Sequence, residues 1–189
     1  MALMNKRTLD AVAATLFGRE ETNVFAVLDG AAVPGLLASL DERQPEHVCL
    51  YRGELEPDLA ETAPYLIKLE RHAAFSNWLL EQGWGRHWGI FALSREGLQA
   101  MRHHFRKLLV VYDANNRPLY FRYYDPRVLR LFLPTCQREE LTTIFGPVAS
   151  YVLEAEDPQR ALRFRTEDGA LFREEAALTE KISIGSERC

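Results

Sequence analysis

The chain has 189 residues, with 23 Lys+Arg against 27 Asp+Glu, a formal net charge of −4 and 47% hydrophobic residues. That apolar content with so small a net charge excludes a disordered polymer, and a chain this long can bury a sizeable core. The slightly acidic balance also argues against a dedicated nucleic-acid binder, whose domain is ordinarily basic. Cys49, Cys136 and Cys189 are odd in number and widely spaced, which signals neither a disulfide framework nor a zinc site and fits a reducing compartment. At the N-terminus, Lys6 and Arg7 precede only a short apolar stretch broken by Asp10, unlike a secretory leader. No apolar run approaches the ~20 residues of a membrane helix. The expectation is a soluble cytoplasmic protein without membrane contact.

Along the chain, Thr8 to Phe17 has helical spacing, with Thr8 as N-cap, Leu9, Val12, Ala13 and Leu16 on one face, and Gly18 as the stop. NVFAVLDGA (Asn23 to Ala31) reads as a buried strand ending in an Asp-Gly turn, Val33 to Arg43 as a helix, and His47 to Tyr51 as a strand. That β-α-β order favours a parallel pair within a mixed sheet. Arg52 to Ala63 is acidic loop or short helix, Pro64 to Glu70 a third strand, Phe75 to Gly83 an amphipathic helix and Trp88 to Ser94 a fourth strand. Ser94 caps a helix holding Leu98, Met101 and Phe105, with Arg106 and Lys107 in its last turn. Leu108 to Asp113 and Leu119 to Asp125 form a hairpin around Asn115-Asn116. A helix over Val128 to Leu133, a second from Arg138 to Phe145, short strands around the Asp168-Gly169 turn and a frayed tail complete the chain. The expected architecture is α/β: a mixed β-sheet flanked by helices over residues 1–125, followed by a smaller helical and mixed lobe over 126–189.

The usual chemistries find little purchase. His47, His72, His87, His103 and His104 lack metal-ligand spacing, so no metal or other cofactor is expected. No G-x-S-x-G elbow occurs, and GWGRHWG (Gly83 to Gly89) lacks the Walker lysine and leads into a strand instead of a helix. Helix stop, tight turn and aromatic packing explain it, and Trp78, Trp84 and Trp88 are expected in the core. Asp29 and Asp125, each at the end of an expected strand, are the best candidates for paired acids; turn formation before Gly30 and before Pro126 accounts for both equally well.

FRYYDPRVLRLFLP (Phe121 to Pro134) is the most informative stretch. Arg95 to Arg130 holds eight Lys/Arg against three acids, whereas Asp41 to Ala63 holds seven acids against two arginines, so charge is polarised despite the balanced total. Arg and Tyr are favoured at protein interfaces for their contact area and directional hydrogen bonds. Strand alternation puts Arg122 and Tyr124 on one face and Tyr123 on the other, and Pro126 turns Asp125 out of helical geometry before starting a helix. Arg122, Tyr124, Asp125, Arg127 and, further along the helix, Arg130 are therefore the candidate partner-binding residues of a groove between the lobes. The competing structural role is an internal clasp of Asp125 with Arg122 or Arg127.

LDGA (Leu28 to Ala31), APYLIKLE (Ala63 to Glu70), GWGRHWGIFALS (Gly83 to Ser94), FRYYDPRVLRLFLP and FGPV (Phe145 to Val148) occur in that order. Together they resemble the type VI secretion effector chaperone, or adaptor, family of Gram-negative bacteria, over roughly Asn23 to Val148. The resemblance implies a protein that is not an enzyme. It would bind a toxic effector and help load it on the VgrG spike without being secreted, and its partners would be that toxin and VgrG. The alternative is a small hydrolase or transferase using Asp29 or Asp125 in the same cleft.

Overall fold

Strand β1 (Asn23–Asp29) is buried along nearly its whole length and lies at the centre of the molecule. Its side chains alternate: Val24, Ala26 and Leu28 enter one apolar core, Phe25 and Val27 the other. Both faces of the sheet must therefore be covered. The computed structural model describes residues 6–18, 22–113 and 115–178. In chain order the further elements are α1 (Lys6–Phe17), α2 (Leu36–Arg43), β2 (His47–Cys49), α3 (Pro57–Thr62), β3 (Pro64–Leu69), α4 (Ala74–Gly83), β4 (Gly89–Ser94), α5 (Leu98–Leu108), β5 (Val110–Tyr112), β6 (Pro118–Tyr120), α6 (Pro126–Phe132), α7 (Arg138–Phe145), β7 (Val148–Glu154), β8 (Arg160–Glu167) and β9 (Ala170–Ala177). Helices α1, α2 and α4 supply Val12, Leu16, Leu36, Leu40, Phe75 and Leu79 to the first core. Helices α5, α6 and α7 supply Met101, Phe105, Leu129, Leu141, Ile144 and Phe145 to the second. The result is an α/β fold in three layers.

The seven strands of the main sheet run in the order β2-β3-β1-β4-β7-β8-β9, and every pairing is antiparallel. This corrects the expected parallel pair. Strand β2 does not sit beside β1; its three residues pair with β3, while β1 is occupied on both edges by six-residue ladders to β3 and β4. A continuous apolar run is the usual mark of a parallel strand covered on both faces, but coverage and not direction produces it. Strands β7 to β9, all beyond residue 125, extend the same sheet through the β4–β7 ladder.

Smaller corrections follow from local bonding. Thr8 lies inside α1, buried, since the helix reaches back to Lys6. Ser94 closes β4 instead of capping α5: its hydroxyl donates to the Pro147 carbonyl at 2.7 Å and accepts from the Glu96 amide at 3.1 Å, while Gly97 takes the N-cap position. The strand expected to reach Asp125 ends at Tyr120. The tail expected over 183–189, with Cys189, lies outside the described residues. No helix among the described residues is long and apolar enough to cross a membrane.

Trp84 and Trp88 are buried, and Trp78 packs against the same core, its ring 5.5 Å from that of Trp88. A methyl on Gly83 would meet Cε3 of Trp88 at 2.6 Å. Gly83→Ala should thus lower the melting temperature, even though alanine is favoured over glycine in a helix by ~1 kcal/mol. Trp88→Ala should cost about 3–5 kcal/mol in chemical denaturation, as expected for a buried aromatic.

Candidate functional site

The antiparallel registers bring the C-terminal ends of β1 and β7 to the same end of the sheet, flanking the start of β4. Each of those ends carries a buried acid, Asp29 and Glu154, and the N-cap of α6 supplies another, Asp125. A buried carboxylate is tolerated only when paired and hydrogen-bonded. Asp29 and Asp125 are each paired with an arginine, and Glu154 with His87.

Asp29 accepts from the Ala31 amide through Oδ1 at 3.1 Å and from Nη2 of Arg122 through Oδ2. The turn beyond it is tight: Gly30 donates to the Ala63 carbonyl at 3.0 Å, and a β-carbon there would lie 2.5 Å from that oxygen. Asp125 accepts the Arg127 amide at 2.9 Å, Nε of Arg127 at 3.0 Å and Nη2 at 2.7 Å, combining a helix cap with a two-pronged ion pair. Burial works to raise the pKa of Asp125, but the hydrogen bonds and charge of Arg127 outweigh it and hold the group below the usual carboxylate range. Glu154 accepts from the amides of Gly85 and His87, the latter at 2.9 Å, and is paired with Nδ1 of His87. Burial nevertheless pushes the pKa of Glu154 upward.

The candidate residues therefore separate. The side chains of Arg122 and Arg127 are 52% and 55% exposed, so their remaining N–H groups face solvent. Tyr124 is buried apart from its edge, and burial pushes its phenol up to about 12. Tyr123 is wholly enclosed, stacked on Phe105 at 5.6 Å, with its hydroxyl donating to the Phe105 carbonyl. Arg130 turns the other way, towards Glu156 at 3.9 Å, and lines a cleft of about 400 Å³ with Leu131, Leu162 and Arg173. Of the two anticipated clasps, that of Asp125 with Arg127 forms, whereas Arg122 pairs with Asp29 instead.

Sequence reasoning missed three participants. Glu154 ends an apolar strand and has no motif of its own; the nearest signal is GWGRHWG, whose left-handed Gly85 and His87 (φ 80° and 59°) aim two amides at one carboxylate. Arg106 reads as a last-turn helix charge. It crosses to the end of β2, donating to the carbonyls of Leu50 at 3.0 Å, Cys49 at 3.2 Å and Tyr51. Tyr51, so anchored, lies beside Tyr124 and Asp29. Among the described residues no three His, Cys, Asp or Glu side chains gather as metal ligands.

The fold and this polar end define a three-layer α/β protein that uses buried acids to hold arginines at its surface. Residues 24–143 match the family described as a domain of unknown function, DUF4123, and the chain belongs to that family. No curated protein and no solved structure matches it.

The depressed pKa of Asp125 makes its contribution to stability complete above the unfolded carboxylate value of ~3.9 and lost as pH falls through the lower folded value. Asp125→Asn keeps a capping side chain but removes the titration. Its unfolding free energy, measured by denaturant between pH 6 and pH 2, should fall less steeply with acid than that of the wild type.

Proposed function

We propose that the protein is a cytoplasmic chaperone or adaptor that binds a type VI secretion toxin and helps load it on the VgrG spike. The observation that carries this reading is the pairing of the buried Asp29 and Asp125 with half-exposed arginines at the polar end of the sheet. Asp29 and Asp125, the carboxylates on which an enzymatic alternative would rely, are both engaged by arginines. What faces outward is a pair of arginines oriented by buried acids, whose free N–H groups are suited to gripping a polypeptide. The ordered sequence blocks around these residues, which resemble the effector chaperone family, motivate the same reading.

Capture of the neighbouring-gene products by the tagged protein, in a bacterium that carries the secretion system, tests the function. Co-elution of a toxin and of VgrG is the expected result; a folded protein that captures neither would remove the assignment. Within that experiment Arg127→Ala addresses the site. Asp125 keeps its backbone donor but loses its ion-pair partner, so the melting temperature should fall, and toxin capture measured below it should weaken by roughly 2 kcal/mol, the scale of an interfacial anchor. Intact folding with wild-type capture would exclude Arg127 from the interface.

A further inference from the structure

Helix α5 leads from the main sheet into the separate two-stranded β5–β6 ribbon, and its sequence contains no acid. Leu98, Met101, His104, Phe105 and Leu108 are buried, which leaves Arg102, His103, Arg106 and Lys107 on the outer side. Cations in a last turn complement the helix dipole; that accounts for Arg106 and Lys107 but not for Arg102, a turn earlier. Arg102 and Arg106 stand four positions apart on one side of the helix, with β-carbons roughly 6 Å from each other.

Hydrogen bonds fix where Arg106 lies. Its Nε donates to the Leu50 carbonyl at 3.0 Å and its Nη2 to those of Cys49, at 3.2 Å, and Tyr51, which leaves Nη1 over. The acceptors are neutral carbonyls, so the guanidinium is held in place with its charge uncompensated. Arg52 begins at the very peptide whose carbonyl Arg106 grips, and its side chain is exposed. Nε of Arg102 is buried without an acceptor. Among the described residues none of these three arginines forms an ion pair, whereas Arg122 and Arg127 are met by Asp29 and Asp125. Burial, and then the like charges of Arg102 and Arg52, lower the pKa of Arg106. Tyr51, whose carbonyl takes Arg106, packs on the second core together with Tyr124, so the cluster adjoins the candidate site.

A group of cations with no internal counter-ion complements an anion. Arg106 is pinned and cannot swing across to share one small dianion with Arg102, so the charges stay at separate points and suit separate carboxylates. An extended phosphate backbone would also meet the exposed Glu54, Glu56 and Asp58 that follow Arg52.

We propose that the α5 face bearing Arg102 and Arg106, with Arg52 beside it, binds an acidic segment of the partner polypeptide in which two carboxylates stand one helical turn apart. The inference rests on the partner-binding reading above and gives the charge chemistry of what is bound.

The test uses the full-length chain and a labelled, alanine-rich helical peptide carrying Glu at positions four apart, followed by fluorescence anisotropy. The same peptide with Gln for Glu and a labelled oligothymidylate serve as comparators, and inorganic phosphate as a competitor. Saturable binding of the Glu peptide is expected, absent for the Gln peptide and weaker at high salt. Arg102→Gln removes no hydrogen bond at Nε, so it should keep the wild-type melting temperature and bind about fivefold more weakly. Arg52→Gln, at an exposed position, should weaken binding similarly, which covers the case in which the first variant fails to fold. Arg173→Gln, on β9 at the far edge of the sheet from β2, changes the net charge equally and should bind as the wild type does. Binding unchanged in Arg102→Gln and Arg52→Gln, equal weakening in Arg173→Gln, displacement of the peptide by equimolar phosphate, or preference for the oligothymidylate would each overturn the proposal. Because the peptide needs neither toxin nor spike, failed co-purification with successful peptide binding would remove the chaperone assignment alone. Retained toxin capture with no peptide binding would remove this face alone.

Discussion

The ion pair between Asp29 and Arg122 joins the end of the central strand to a junction 93 residues further along the chain. Asp29 is buried, so its charge has to be met from within the protein, and leaving such a carboxylate unpaired typically costs about 3–5 kcal/mol. The need to neutralise it fixes where residues 121–125 cross the end of the sheet. The ribbon leading into that crossing and the helix leading out of it are positioned by the same contact. Tyr123, immediately after Arg122, is driven into the second core by its own apolar area and satisfied there by the Phe105 carbonyl. One charge pair and one buried ring therefore determine how the junction is presented.

The pattern recurs at Asp125 and Glu154, and the shared geometry bears on binding. A free surface arginine loses ~2 kcal/mol of rotamer freedom when it is fixed. Arg127 is already held by two guanidinium contacts to Asp125, and Arg122 by its contact to Asp29. Part of the ordering is thus complete before any partner arrives, which is how preorganisation raises affinity without adding contacts. In the proposed interface the carboxylates would act on a partner only through the arginines they orient.

Most elements were legible because each is written locally. The apolar run of β1 and the Asp168-Gly169 turn each specify their own segment. Pairing was not, since nothing in β2 states that its neighbour is β3; that follows from competition among strands for the edges of β1. The stretch Arg122 to Asp125 was singled out for its composition, yet its alternation was read through a strand that stops at Tyr120. Tyr123 is nonetheless inward and Arg122 outward, because burial is set by side-chain chemistry even where the backbone turns. Glu154 and Arg106 were illegible for one reason: each acts on residues more than fifty positions away.

The antiparallel order also explains why the site draws on distant parts of the chain. In a parallel sheet the strands would all present the same end; here only alternate strands end at the polar edge, and β1 and β7 are the ones that flank β4 there. The family match ends at residue 143, before β7 begins, so it holds Asp29, Arg122, Asp125 and Arg127 but not Glu154. Without β7 the buried strand β4 would present an unpaired, apolar edge, which is an aggregation template. The loop Gly85 to His87 would also lose the carboxylate it encloses. The final strands thus have two physical tasks: they close β4, and they complete the set of acids beneath the cationic surface.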